Sequence, residues 1–221
     1  MGGFLNQTLN SEFKHGLYSI IILAVRQSCE LMVEDGIAQG KHIDNHEEKI
    51  RTHLLENYLD KDELRPKLGL ANTPLRFTAE VPEGYDGTSE SYIGRTDIKV
   101  VSSDWFANRN DYYIIECKRV DGTQTLNNKY VTEGVCRFIG DPPKYSSYHN
   151  RNFMLGFIVR NIDCIKNAKQ IATIHRTVLN GKISKDLTFN EGTASYNLYE
   201  SKYVSGLILS HIFYDFSSIV A

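Results

Sequence analysis

The alternation of helix-patterned and strand-patterned segments predicts an α/β protein built on one central sheet flanked by helices. Three observations carry this prediction. Two helical stretches open the chain, two strand-like runs at 94–100 and 112–120 occupy its middle, and helix and strand patterns alternate again after them. At 221 residues the chain accommodates one substantial domain and little more. Within that single domain, 1–40 is a helical extension, 45–160 the core and 161–221 a closing helix and strand.

The elements follow in order. From 11 to 35 the apolar residues Phe13, Leu17, Ile20, Ile21, Ala24 and Cys29 recur at helical spacing. Arg26, Glu30 and Glu34 cut short the apolar run 17–25, and a bilayer span needs ~20 apolar residues, so a buried helix is expected. Asn45 is a candidate N-cap for a second helix, with Glu47 and Glu48 in its first turn. Ile50, Leu54 and Tyr58 form its apolar face, with Leu55 and Leu59 beside them, and Pro66, Gly69 and Pro74 end it. Residues 75–81 read as a strand and 82–87 as a turn-rich loop. The Asp97 strand, a polar hairpin through 108–111 and the Glu116 strand come next. Residues 124–139 read as a helix stopped by Gly140-Asp141-Pro142-Pro143, 153–160 as a central strand, and 163–179 as a helix exposing Lys166, Lys169 and Arg176. The tail 203–216 is again strand-like.

A hydrophobic content of 41% with 24% charged residues is ordinary for a soluble globular protein. A net charge of −2 excludes an evenly basic coat, so nucleic-acid binding here needs a local basic groove. Cys29, Cys117, Cys136 and Cys164 lack zinc-ribbon or disulfide-framework spacing and read as free thiols of a reducing, cytoplasmic compartment. No basic secretory leader is expected at the start, and Gln7 stands where a myristoylation motif places Ser or Thr.

Chemistry concentrates in the two middle strands. Side chains alternate along a strand, so Glu116 and Lys118 share one face, and a neighbouring strand brings Asp97 toward them. Two carboxylates and an amine at a sheet edge suit a hard divalent cation and a water molecule, as phosphodiester cleavage requires. Glu-x-Lys alone decides nothing, since it also occurs at Glu12-Lys14, Glu47-Lys49 and Glu200-Lys202. Only Glu116 follows a run as apolar as Tyr-Tyr-Ile-Ile and has an acid-bearing strand just upstream. The alternative is a solvated edge strand with an ion pair worth little.

In this order of elements the chain resembles the PD-(D/E)xK nuclease superfamily, over roughly 47–160. The carrying motifs are the acidic helix, Gly94-Arg95-Thr96-Asp97-Ile98, Ile114-Ile115-Glu116-Cys117-Lys118, and the helix and strand that follow; Thr96 stands where proline is frequent. The resemblance implies a restriction-endonuclease-like core with a central mixed sheet. It makes Asp97 and Glu116 metal ligands, completed by the Cys117 carbonyl, and gives Lys118 the attacking water. Glu47 becomes the helix acid, with Glu48 second and helix-dipole compensation as the competing role for either. The implied cofactor is Mg²⁺, with Mn²⁺ able to substitute. The implied substrate is DNA, cleaved by a restriction or anti-phage defence endonuclease. The alternative is a catalytically silent interaction module of the same fold that binds DNA or a protein.

Lys129, Arg137, Lys144 and Arg151 are candidate phosphate contacts, although Arg137 also lies four residues after Glu133, where an ion pair competes. Trp105 and Phe106 are placed to stack on a base or pack a dimer. His42, His46 and His53 lack zincin spacing, and Cys117 reads as core packing rather than a nucleophile. The apolar helix 13–33 and the tail offer a possible homodimer surface.

Overall fold

A computed structural model describes residues 7–102 and 108–221. Chain order is α1 (Gln7–Gln39), α2 (Glu47–Leu54), β1 (Arg76–Ala79), β2 (Pro82–Asp86), β3 (Ser91–Arg95), β4 (Ile98–Val101) and β5 (Tyr112–Val120). It continues with α3 (Gln124–Lys129), α4 (Cys136–Ile139), β6 (Arg151–Ile158), α5 (Cys164–Val178), β7 (Ile183–Gly192), β8 (Tyr196–Tyr203) and β9 (Ile208–Asp215). Seven strands form one mixed sheet in the order β1-β4-β5-β6-β9-β8-β7. β5, β6 and β9 run parallel at its centre, and the outer pairings are antiparallel. The protein is therefore mixed α/β.

β5 shows why the sheet is covered on both faces. Tyr113, Ile115 and Cys117 enter one core with α1 and α2, while Tyr112, Ile114 and Val120 enter the other with Tyr130, Val131 and Val135, α4 and α5. A strand buried on both sides reads as a continuous apolar run, which explains Tyr-Tyr-Ile-Ile. A π-helical segment, Tyr130–Val135, joins α3 to α4, so the single helix expected over 124–139 is continuous but widened. Asp163 caps α5 by accepting the Lys166 N–H at 2.9 Å.

Several expectations change. Asn45 does not cap α2; His46 holds that position without a side-chain bond. The Asn45 main-chain oxygen and Oδ1 instead accept from Arg119 Nη1 at 2.6 and 2.8 Å, because Arg119 at the end of β5 reaches it first. Residues 82–87 are not a loop: β2 pairs with β3 in a separate two-stranded ribbon. β7 and β8 form a long hairpin in a region with no strand expectation. The tail forms β9, between β6 and β8, with Ile212, Phe213 and Phe216 buried. The α1 stripe Leu17, Ile21, Ala24, Val25 and Cys29 packs into the core. The stretch Gly16–Gln39 has the length and composition of a bilayer span, yet one face of it is core.

Candidate active site

The register of β4 and β5 builds the site. Ile98 pairs with Ile115, so one further residue sets Asp97, at the bend before β4, opposite Glu116 on the same face. Lys118 follows two residues later on that face. α2 crosses the end of β5 and lowers Glu47 onto it: Glu47 Oε1 accepts from Lys118 Nζ at 2.9 Å, and Oε2 accepts the Arg119 N–H at 3.1 Å. The structure thus brings together Asp97, Glu116, Lys118 and Glu47. Glu48 lies outside this group, exposed on the wall of the flanking cleft.

Lys118 is the centre of the arrangement. Its Nζ lies 2.8 Å from Glu116 Oε1, 2.9 Å from Glu47 Oε1, 2.8 Å from the Cys117 carbonyl oxygen and 3.9 Å from Asp97 Oδ2. These are the oxygens expected to ligate a metal. The lysine is buried, which by itself pulls its pKa down; Glu116, Glu47 and Asp97 more than reverse that and hold it above the ordinary lysine range. Glu116 is fully buried and its pKa is pushed up to about 7, by burial first and by Asp97 second, against the pull of Lys118 and Arg137. The Cys117 thiol is also pushed up, by burial and then by the two carboxylates, which suits packing rather than nucleophilic chemistry. The Cys117 N–H donates to Asp97 Oδ2 at 2.7 Å.

Three further residues complete the site and were not legible as members of it. Arg51, one turn after Glu47 on α2 and 7% exposed, donates to Asp97 Oδ1 at 2.6 Å and to Glu80. Its signal was its place on the inward stripe, four residues after Glu47 and three before Leu54. Tyr145 donates to Glu116 Oε2 at 2.8 Å from a loop that carries no periodic signal. Glu80 holds both Arg51 and Arg95, bracing the base of the β2–β3 ribbon.

The phosphate-contact candidates separate. Lys129 lines a cleft of about 330 Å³ with Glu47, Arg51, Glu80 and Lys118. Arg137 turns inward, donating to Glu116 Oε2 at 3.3 Å and to the Tyr145 hydroxyl, rather than pairing with Glu133. Lys144 is exposed in the segment whose main chain bonds the Arg137 carbonyl. Arg151 does not join them. It pairs with Glu200 at 3.2 Å and lies over the Tyr18 ring. It starts β6 level with Tyr113, five residues from Lys118 on β5, or ~16 Å at strand rise. Trp105 and Phe106 lie outside the described residues.

Among the described residues, no three His, Cys, Asp or Glu side chains converge closely enough to chelate a metal by themselves. The donor set is two carboxylates, a main-chain carbonyl and a third carboxylate, all of them oxygen and suited in kind to a hard cation. One observation adds to that fit. Glu116 Oε1 is buried with Lys118 Nζ at 2.8 Å and Arg137 Nη1 at 3.2 Å, so it is held by two cationic side chains. The oxygen sits in a place that favours positive charge. No protein-family model, curated protein or solved structure matches the chain, so the site is read from its own geometry.

Proposed function

We propose that the protein is a metal-dependent phosphodiesterase with a restriction-endonuclease-like core of the PD-(D/E)xK type, acting on DNA in the cytoplasm. The observation that carries this reading is the convergence of buried Glu116 Oε1, Asp97 Oδ2, the Cys117 carbonyl oxygen and Glu47 Oε1 on one centre. The mixed sheet with an acid-bearing helix across its end supports it. Asp97, Glu116 and the Cys117 carbonyl would hold Mg²⁺ or Mn²⁺, with Glu47 beside them. When bound, such an ion supplies a Lewis acid and lowers the pKa of water.

The chain's own groups have definable tasks. Arg51 and the Cys117 N–H fix the Asp97 carboxylate, and Tyr145 and Arg137 fix that of Glu116, so both ligand oxygens are set before substrate arrives. Lys118, charged at neutral pH, orients an attacking water and stabilises negative charge developing on the phosphate. Glu47 anchors the ammonium and, through the Arg119 N–H, the end of β5. Lys129 at the cleft wall is placed for a backbone phosphate. A role in restriction or anti-phage defence extends this reading by analogy of fold alone.

A second reading, a silent interaction module, has one observation in its favour: the three carboxylates already face Lys118, Arg51 and Arg137. Plasmid and oligonucleotide cleavage with Mg²⁺ or Mn²⁺ separates the two. Wild type is expected to cleave, with Asp97→Ala and Lys118→Ala slower by roughly 10²–10³-fold, the effect typical of losing one electrostatic stabiliser. Equal behaviour of all three proteins refutes the enzyme.

A further inference from the structure

The oxygens around Lys118 divide into two sets. Asp97 Oδ1 is taken by Arg51 and Glu116 Oε2 by Tyr145, with Arg137 Nη1 beside both Glu116 oxygens at 3.3 and 3.2 Å. These groups hold the carboxylates from outside. Asp97 Oδ2 and Glu116 Oε1 face inward, together with the Cys117 carbonyl oxygen and Glu47 Oε1, and all four surround one atom, Lys118 Nζ. An ammonium has three protons. Glu47 Oε1, the Cys117 carbonyl oxygen and Glu116 Oε1 lie at 2.9, 2.8 and 2.8 Å from it, and Asp97 Oδ2 at 3.9 Å. The ammonium fills the centre of the ring but leaves Asp97 Oδ2 beyond hydrogen-bond reach.

Arg51 and Lys118 differ in how easily they leave. Arg51 bridges Asp97 and Glu80 across two elements, locked by its planar fork. Lys118 hangs on a flexible four-carbon stem with a cleft of about 330 Å³ beside it. Glu133 also lines that cleft, so a displaced ammonium finds a carboxylate there and solvent beyond.

We propose that Lys118 is the resident cation of the metal-free site, and that metal loading is an exchange in which a divalent ion takes the inward oxygens and the ammonium withdraws into the cleft. The inference rests on the metal-dependent reading above and adds its regulation: the lysine that serves the reaction also competes with the metal that drives it. Removal of the ammonium should then strengthen metal binding while slowing cleavage, whereas a lysine that only orients water leaves metal affinity unchanged. If the withdrawn arrangement makes up no more than ~10% of metal-free molecules, the competition weakens apparent affinity ~10-fold.

The test is calorimetric titration of Mn²⁺ into the full-length chain, comparing wild type, Lys118→Met, Lys118→Gln and Asp97→Asn, with thermal unfolding in EDTA and in Mn²⁺. Lys118→Met is expected to bind Mn²⁺ ~10-fold or more tightly than wild type. It should also melt lower than wild type in EDTA and recover in Mn²⁺, and Asp97→Asn should lose binding. Lys118→Gln keeps a donor for Glu47 and the Cys117 carbonyl, so it carries the same comparison where the methionine variant does not fold. Wild-type binding with equal or weaker binding by the folded Lys118 variants overturns the exchange and leaves the metal site standing. Absence of Mn²⁺ binding in every protein overturns the metal-dependent reading itself, and the exchange with it.

Discussion

Replacing Arg51 by methionine removes a buried guanidinium from a buried carboxylate while keeping most of the side-chain volume. Breaking a buried ion pair by deleting one partner costs ~3–5 kcal/mol, because the remaining charge is stranded. Asp97 is not wholly stranded, since it keeps the Cys117 N–H at 2.7 Å and Lys118 at 3.9 Å. Glu80 keeps Arg95 at 2.7 Å and is partly solvated. The lower end applies, about 3 kcal/mol, equivalent to roughly 6–12 °C in Tm for a chain of this length. Urea and thermal unfolding in EDTA, followed by circular dichroism, would read it. A double-mutant cycle with Asp97→Asn isolates the pair, because the neutral amide no longer needs the guanidinium. The expected coupling is ~2 kcal/mol, within the range for residues in one network. Additivity within ~0.5 kcal/mol would refute the view that Arg51 neutralises and fixes Asp97.

Lys129→Ala should weaken DNA binding evenly across sequences and lower the slope of log affinity against log salt by ~1. Arg151→Ala, at the far end of the sheet, should leave that slope unchanged; a drop with Arg151→Ala would move the nucleic-acid path. A buried relay gives a pH prediction: Tyr130 and Ser201 occupy Nδ1 and Nε2 of His211, whose pKa burial and then His175 push down to about 3. A depressed histidine lends stability that is complete above its unfolded pKa near 6.5 and is lost on acidification toward 3, so wild type should lose about 2 kcal/mol relative to His211→Gln between pH 7 and 5. Urea midpoints across that range check it, and parallel curves for the two proteins would contradict the buried neutral state.

The legible parts of the protein are those written in local periodicity. Period-2 alternation put Glu116 and Lys118 on one face, an adjacent strand supplied Asp97, and helical spacing from Ile50 and Leu54 turned Glu47 inward. Arg51 escaped because an arginine four residues after a glutamate reads first as a solvated helix pair. Tyr145 escaped because loop residues have no period, and its partner lies 29 positions away. β2 was hidden by Pro82 and Gly84, which are depleted in strands but tolerated in a ribbon outside the main sheet. β7 was hidden by its place at the sheet edge, where Lys185, Asp186 and Glu191 interrupt the apolar pattern. The tail's strand character was visible, but its placement beside β6 depends on a parallel pairing with partners 57 residues apart, beyond any local pattern.

The charge arrangement bears on the choice between enzyme and scaffold. A buried ion-pair network is a poor source of stability, since packed apolar residues of the same volume are often equal or better. Here the network also holds a fully buried carboxylate, Glu116, whose pKa burial and Asp97 push up to about 7. A scaffold retaining the fold for docking has no use for it. A site that exchanges one cation for another does have a use for it. Glu116 must be held, by Tyr145 on one oxygen, while the other faces a flexible ammonium that a divalent ion can replace. The same logic explains why Arg51 binds the outward oxygen of Asp97 and the flexible lysine faces the inward oxygens. Had Arg51 and Lys118 been transposed, the inward oxygens would be closed by a fork that cannot withdraw.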